Sequence, residues 1–447
     1  MRIVIVGAGA VGFYLARRLS DEAQEVVVIE SDPEKAQHAE DNLDVLTIRG
    51  SGADPAVLES AGLAQADMLM AVSGSEDANL LACMAANKAG VDVKVARVRD
   101  PEAHGPASLL AAESFGIDLM ISPEQECAWE TFQLLATEAA TDLIRFGGGL
   151  VQVMGVQLQA GASMAGKSLA ELDREMQAHR FVVAAVVRDG ESRIPTGSTV
   201  LQERDRVFIV APSDEIKAFP ALAGYEPFRL RRVMIAGGSD EAVHLTRHLQ
   251  AHGVECTILE RDQERSRELA EMLPHALVLK GDATDLELLQ MEGVEGVDGF
   301  AALTDRDEVN MLVALLARSL GARRVIPLIH QTSYMTLVGR VGIDAAVSPR
   351  ISAANAILRF IRRGSLASVG TIKGSRAEAM EGIIPVDSPL IGRELRDIRL
   401  PEGSVLGALI RRGRVIMPRG GDRIEPGDHA VFIVLPGAMD AVGELLE

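Results

Sequence analysis

Gly7-Ala8-Gly9-Ala10-Val11-Gly12 and Glu30 are the residues whose types and spacing suggest chemistry in this sequence. The pattern G-x-G-x-x-G suits an anion. Gly7 permits a tight turn, Gly9 lets the backbone approach a pyrophosphate, and Gly12 lets helix and strand pack closely. A helix N-terminus behind them supplies N–H groups and positive dipole. Glu30 can accept hydrogen bonds from ribose hydroxyls and would repel a 2′-phosphate, so NAD or an adenosine phosphate fits better than NADP. The plainer alternative is a tight turn beside a solvated strand end.

The elements that must position these residues are legible on either side. Arg2–Val6 is apolar and β-branched, as in a strand buried on both faces of a parallel sheet. Phe13–Leu19 has helical spacing, and Glu25–Glu30 reads as a second strand that ends on the carboxylate. Asp44–Ile48, Met68–Val72, Val93–Val98 and Leu119–Ile121 read as further strands with helical stretches between them. Ser73 and Gly74 follow the fourth strand, and Arg97 lies in the fifth, where its guanidinium could hold a phosphate or stack on a base. The alternation predicts an α/β fold with a doubly wound, Rossmann-like parallel sheet. A helix is predicted over 124–145. A small α+β module follows, with strands at Leu150–Leu158, Phe181–Val187 and Arg206–Val210.

Everything then recurs about 230 positions on. Arg232–Gly237 answers Arg2–Gly7, and Glu260 answers Glu30. Gly281–Asp285 answers Gly50–Asp54, and Ala302–Asn310 answers Ala71–Asn79. The small module recurs too, with Gly392–Leu395 and Pro426–Ile433. The expected plan is a sheet domain over 1–123, a linker helix over 124–145 and a small module over 146–224. A second set follows over 230–350, 351–365 and 366–447. The second fingerprint has drifted: Gly9 becomes Ser239, Gly12 becomes Ala242, and Arg97 aligns roughly with Leu328. A strong first site and an altered second one are expected.

Composition narrows the function classes. The chain has 447 residues, 47% hydrophobic and 24% charged, which suits two to four ordinary globular domains. No apolar run approaches the ~20 residues that span a bilayer, and no signal pattern precedes the first strand. A cytoplasmic protein without direct membrane insertion is expected. A net charge of −19 argues against nucleic acid or anionic lipid as the main partner. Cys83, Cys127 and Cys256 are scattered without metal spacing and read as buried thiols.

Two further patterns imitate sites. Gly161–Ser168 fits G-x-x-x-x-G-K-[ST], but it sits in the small module, and the helix expected after it, Leu169–Met176, is short. His244, His248 and His252 share one helix face and could hold a metal, or form a solvated stripe. No catalytic constellation stands out. A ligand-gated regulator is therefore favoured over the alternative, an NAD-dependent oxidoreductase, which would need a catalytic domain with a base and a substrate anchor. A bare scaffold would leave Glu30 and Arg97 unexplained.

At these residues the chain resembles the TrkA family, peripheral nucleotide-binding subunits of bacterial Trk potassium-uptake systems built from two RCK repeats. The resemblance spans essentially the whole chain. It rests on Ile5–Gly12, Asp67–Ser73, Glu76-Asp77 with Asn79, Ala96–Arg99, Ser122–Gln125, Val233–Gly238, Gly281–Ala283 and Glu425–His429. It departs at Ser239–Ala242, where the family usually keeps more glycine. The resemblance implies a non-enzymatic regulator that binds NAD(H), or ATP and ADP in the same clefts. It further implies a ring of RCK units under a TrkH-type integral-membrane potassium transporter, on the inner face of the membrane. It places Gly7, Ala8, Gly9, Ala10 and Val11 around the phosphates, Glu30 on the ribose, Ser73 and Gly74 over the nucleotide's edge, and Arg97 against it. Gly237, Gly238, Ser239, Asp240, Glu241 and Glu260 would do the like in the second copy.

Overall fold

The computed structural model describes residues 1–105, 108–137, 140–175, 180–226, 229–335, 337–361, 366–372 and 375–446. In the first repeat the chain runs β1 (Arg2–Val6), α1 (Ala10–Asp21), β2 (Glu25–Glu30), α2 (Pro33–Asn42), β3 (Leu46–Arg49) and α3 (Pro55–Ser60). It continues through β4 (Met68–Ala71), α4 (Glu76–Ala89), β5 (Val93–Arg97), β6 (Leu119–Ile121) and α5 (Pro123–Ala136). The sheet order is β3-β2-β1-β4-β5-β6, doubly wound and parallel. Its central strands are apolar throughout because helices cover both faces; Met68, Leu69, Met70 and Ala71 are all fully buried. Local signals set the helix starts. Asp32 caps α2 through the N–H groups of Glu34 and Lys35, with Pro33 in the first turn, and Asp54 caps α3 ahead of Pro55.

The first small module contains β7 (Ala140–Phe146), β8 (Val151–Gln157), α6 (Leu169–Glu175), β9 (Val182–Arg188), β10 (Glu191–Arg193), β11 (Arg206–Pro212) and α7 (Phe219–Leu222). The second repeat follows with β12 (Arg232–Ala236), α8 (Asp240–Ala251), β13 (Glu255–Glu260), α9 (Gln263–Met272), β14 (Leu277–Lys280) and α10 (Leu286–Met291). Next come β15 (Gly299–Ala302), α11 (Asp307–Ser319), β16 (Val325–Pro327), α12 (Thr332–Met335) and α13 (Pro349–Ile361). Its five-stranded order, β14-β13-β12-β15-β16, reproduces β3-β2-β1-β4-β5, and an isolated parallel bridge from Leu328 to Val347 stands in the place of β6. The second module is β17 (Leu366–Thr371), β18 (Glu378–Ile383), β19 (Ser404–Arg411), β20 (Arg414–Ile416), β21 (His429–Val434) and α14 (Met439–Gly443).

The chain divides into two compact units, Met1–Ala128 with Ser348–Ile357, and Trp129–Val347 with Leu358–Glu447. Within the second unit the two small modules share a core in which Phe146, Val151 and Phe208 meet Ile410, Val431 and Ile433. Each module also buries an aspartate against an arginine. Arg188 donates two hydrogen bonds of 2.7 Å to Asp205, and Arg411 does the same to Asp428. A cavity of about 520 Å³ opens between the modules, lined by Arg180, Phe181, Val415, Met417 and Arg419 among others.

The structure corrects one expectation and qualifies another. The helix expected over 124–145 ends at Ala136, and 140–146 is strand β7, antiparallel to β8 with Phe146 opposite Val151. The second linker helix ends at Ile361, and the last four residues of its expected span, 362–365, lie outside the described residues. The histidine face of α8 is only partly solvated: His252 is exposed while His244 and His248 are half-buried. The His248 ring tilts against Trp129 at 5.1 Å and the His252 ring against Phe132 at 4.5 Å, both on α5.

All three cysteines are buried and unbridged, as read from the sequence. Burial pushes the Cys83 and Cys256 thiols up to about 12. Thiolate is the reactive form, so the native protein should not react with iodoacetamide at pH 8, whereas denaturant should expose all three. Modification of Cys83 without unfolding, seen by mass spectrometry, would contradict this packing.

Candidate functional site

The site forms where the C-terminal ends of β1 and β4 part, the topological switch point at which doubly wound sheets take ligands. Gly7 turns the chain there with φ +100°, and a Cβ on it would lie 2.7 Å from the Ser73 Cα. Gly12 sits one turn into α1, where a Cβ would fall 1.9 Å from the Gly7 carbonyl oxygen. Gly9 is different: nothing lies within 4 Å of where its Cβ would be. The fingerprint therefore contains two packing glycines and one that faces open space.

Behind Gly9, α1 starts with no side-chain cap and no acidic residue in its first turn. Its leading N–H groups and its dipole have no side chain to answer them. Glu30 reaches the same turn from β2. Its carboxylate accepts from the Ala8 N–H at 2.6 Å and the Asp32 N–H at 2.9 Å, and the residue is 8% exposed. Glu30 thus braces the glycine turn against the end of its own strand.

Asn79, on α4, fixes the opposite wall. Its Oδ1 accepts from the Ser73 N–H at 3.0 Å and hydroxyl at 2.7 Å, while its Nδ2 donates to the carbonyls of Ser73 and Arg97. Sequence reading did not single Asn79 out as a site residue. Its recurrence as Asn310, which makes the same four bonds to Thr304 and Leu328, was the available signal. Those bonds also align Leu328 with Arg97. Gly74 adjoins Ser73 and is open around its Cβ position. Arg97 stands at the end of β5, but its guanidinium is engaged: it donates to Glu124 Oε1 at 2.7 Å, and Glu124 Oε2 accepts from the Ser122 hydroxyl at 3.1 Å.

The second crevice repeats the frame. Gly237 turns with φ +98°, and Glu260 accepts from the N–H groups of Gly238 and Asp262, both at 2.7 Å. Gly238, Ser239, Asp240 and Glu241 take the places of Ala8 to Val11. The two patterns that imitate sites lie elsewhere. Gly161–Ser168 lies between β8 and the seven-residue α6, and Lys167 pairs with Glu175. Among the described residues no three His, Cys, Asp or Glu side chains form a metal-holding group.

The chain matches the family model of the TrkA-N domain over residues 3–123 and 233–349, and that of the TrkA-C domain over 153–224 and 380–447. The Trk system potassium uptake protein TrkA of Halomonas elongata is 36% identical over 97% of this chain and 96% of its own. The chain belongs to the TrkA family. The TrkA protein of Azorhizobium caulinodans is 33% identical over 100% of this chain and 98% of its own. TrkA homolog 1 of Methanosarcina mazei is 34% identical over 99% of both chains. This is a family of potassium-uptake proteins, not of oxidoreductases. Among solved structures, the fold is shared with the GsuK RCK domain (TM-score 0.62, 19% identity, 100% of this chain and 94% of that one). It is shared equally with the GsuK channel bound to NAD (TM-score 0.63, 19% identity, 100% of this chain and 78% of that one).

Asn79→Ala should strand buried groups of Ser73 and Arg97, which costs about 2–4 kcal/mol in urea unfolding. Gly9→Ala should stay within about 0.5 kcal/mol of the parent. Equal stability of Asn79→Ala and parent would remove the tie between β4 and β5.

Proposed function

We propose that this chain is the peripheral, nucleotide-sensing subunit of a Trk potassium-uptake system. It binds NAD(H), or ATP or ADP in the same crevice, and sets the activity of a TrkH-type integral-membrane transporter by changing shape. It works on the inner face of the membrane, as a ring of RCK units held there by its partner. Among the described residues no helix is long and apolar enough to cross a membrane.

One observation carries the reading: α1 opens into the crevice behind Gly9 without a cap, with the Glu30 carboxylate at its side. The uncapped helix start suits a diphosphate, and Glu30 suits ribose hydroxyls once it exchanges its backbone bonds for them. Gly7, Ala8, Gly9, Ala10 and Val11 line the phosphate end, Ser73 and Gly74 the edge over β4, and Arg97 the far end. The family likeness supports the potassium-uptake setting, and a fold-level neighbour with bound NAD supports the ligand class.

The coupling runs through α5. A terminal phosphate that reached Arg97 would compete with Glu124, on the first turn of that helix. Both partners are partly exposed, at 32% and 24%, so the pair contributes at most about 1 kcal/mol. A ligand shifts the two states only by its difference in affinity for them. Helices α5 and α13 each begin in the first unit and end in the second, which makes them the candidate hinges.

Calorimetry with NADH and ADP tests the site. Glu30→Ala should weaken both by about 10- to 100-fold, the loss of one charge-assisted hydrogen-bond pair; unchanged affinity would remove the ribose assignment. Glu124→Gln should release Arg97 and tighten ATP several-fold relative to ADP, and equal effects on both would take Arg97 out of the terminal-phosphate role. A panel of alcohols and 2-hydroxy acids should give no NADH signal at 340 nm; turnover of any of them would favour the oxidoreductase alternative.

A further inference from the structure

The two crevices share a frame and differ in charge. In the first, α1 has an uncapped start and no acid in its opening turn. In the second, the Ser239 hydroxyl accepts from the Ala242 N–H at 3.3 Å and so caps α8 itself. Asp240 and Glu241 stand in the opening turn of α8 where the first repeat has Ala10 and Val11. One of the N–H groups that would draw an anion, that of Ala242, is already met by a side chain, and the two carboxylates oppose the pull of the helix dipole on an anion.

A cation completes the arrangement. From α9, Arg265 donates through Nε to the Gly238 carbonyl at 2.8 Å and pairs with Asp240 at 3.2 Å. A Cβ on Gly238 would meet Leu269 Cδ1 at 2.4 Å and Arg265 Cγ at 3.4 Å, so these α9 side chains fill the place that the Ala8 methyl holds in the first repeat. In the first repeat the matching residues are Lys35 and Ala39. Lys35 turns to Asp32 at 3.8 Å, and Ala39 is too short to reach.

We infer that the second crevice is closed to nucleotide diphosphates by its own residues, and that the chain takes one nucleotide, in the first. Asp240 and Glu241 add two carboxylates to the helix start where a diphosphate would need positive potential, and Arg265, shared between the Gly238 carbonyl, Asp240 and Glu268, offsets at most one of them. The second sheet domain stays in one self-satisfied state while the first responds to ligand. This rests on the reading of the first crevice as a nucleotide site.

Calorimetric stoichiometry of the full chain with NADH and with ADP decides it. The parent should bind one per chain. Grafting the second repeat's residues onto the first (Gly9→Ser, Ala10→Asp, Val11→Glu) should weaken that site by about a hundredfold or more, since each carboxylate lies within a few ångströms of the incoming phosphates. The reverse graft (Ser239→Gly, Asp240→Ala, Glu241→Val, Arg265→Lys) should add a second equivalent. Two equivalents on the parent, or undiminished binding after the first graft, would overturn the inference. If the parent bound neither ligand, the proposed function would fall. The reverse graft would then still decide this point, a gained site supporting closure and no gain refuting it.

Discussion

The backbone at Gly7 passes Ser73 with no room for a Cβ, and the crevice depends on that approach. The left-handed turn there, with φ +100°, sends the chain from β1 into α1 while keeping it against the loop that leaves β4. A side chain at this position would clash with backbone and be strained besides. Because the loops touch, the start of α1, with the Glu30 carboxylate on its Ala8 N–H, is held beside Ser73 just after β4. Gly237 repeats the device with φ +98°, its Cβ position 2.7 Å from the Leu303 carbonyl oxygen. The constraint belongs to the doubly wound architecture, and what each crevice holds is decided by the side chains added to it.

The strands around the crevice were readable because strands buried on both faces must be apolar and β-branched, and because the duplication allowed each to be checked against its copy. Strand β7 was not. Its sequence, Ala140 to Phe146, follows a helix with neither Gly nor Pro to mark a break, and it becomes extended through pairing with β8. Such pairing is tertiary information that local propensity does not contain. The same limit hid the partner of Arg97. Glu124 lies 27 positions away on another element, and only the parallel placement of β5 and β6 brings α5 back to it. The histidines of α8 show a related limit: their spacing marks a face, but the rings that His248 and His252 tilt against come from α5.

The repeats show which residues serve the fold and which serve the crevice. Positions that satisfy buried backbone keep their chemistry in both copies: Glu30 and Glu260 brace the turn, and Asn79 and Asn310 tie β4 to β5 and β15 to β16. Losing either type would strand buried polar groups, which the fold does not tolerate cheaply. Positions that face the crevice have drifted, with Gly9, Ala10 and Val11 against Ser239, Asp240 and Glu241, and Arg97 against Leu328. A residue whose partner is buried backbone is held by the architecture, whereas one without such a partner is free to change between the copies.

Magnitudes separate the ion pairs that can switch from those that cannot. Arg188 with Asp205 and Arg411 with Asp428 are bidentate, and each aspartate side chain is 1% exposed. Removing one partner of such a pair strands a buried charge, at a cost of about 3–5 kcal/mol. That suits modules that act as fixed bodies. The Arg97–Glu124 contact is a single, partly exposed hydrogen bond, which a phosphate can replace at little cost. Under the proposed function, a contact this weak on the first turn of α5 is one that a nucleotide of ordinary affinity could displace, whereas a buried bidentate pair there would not yield.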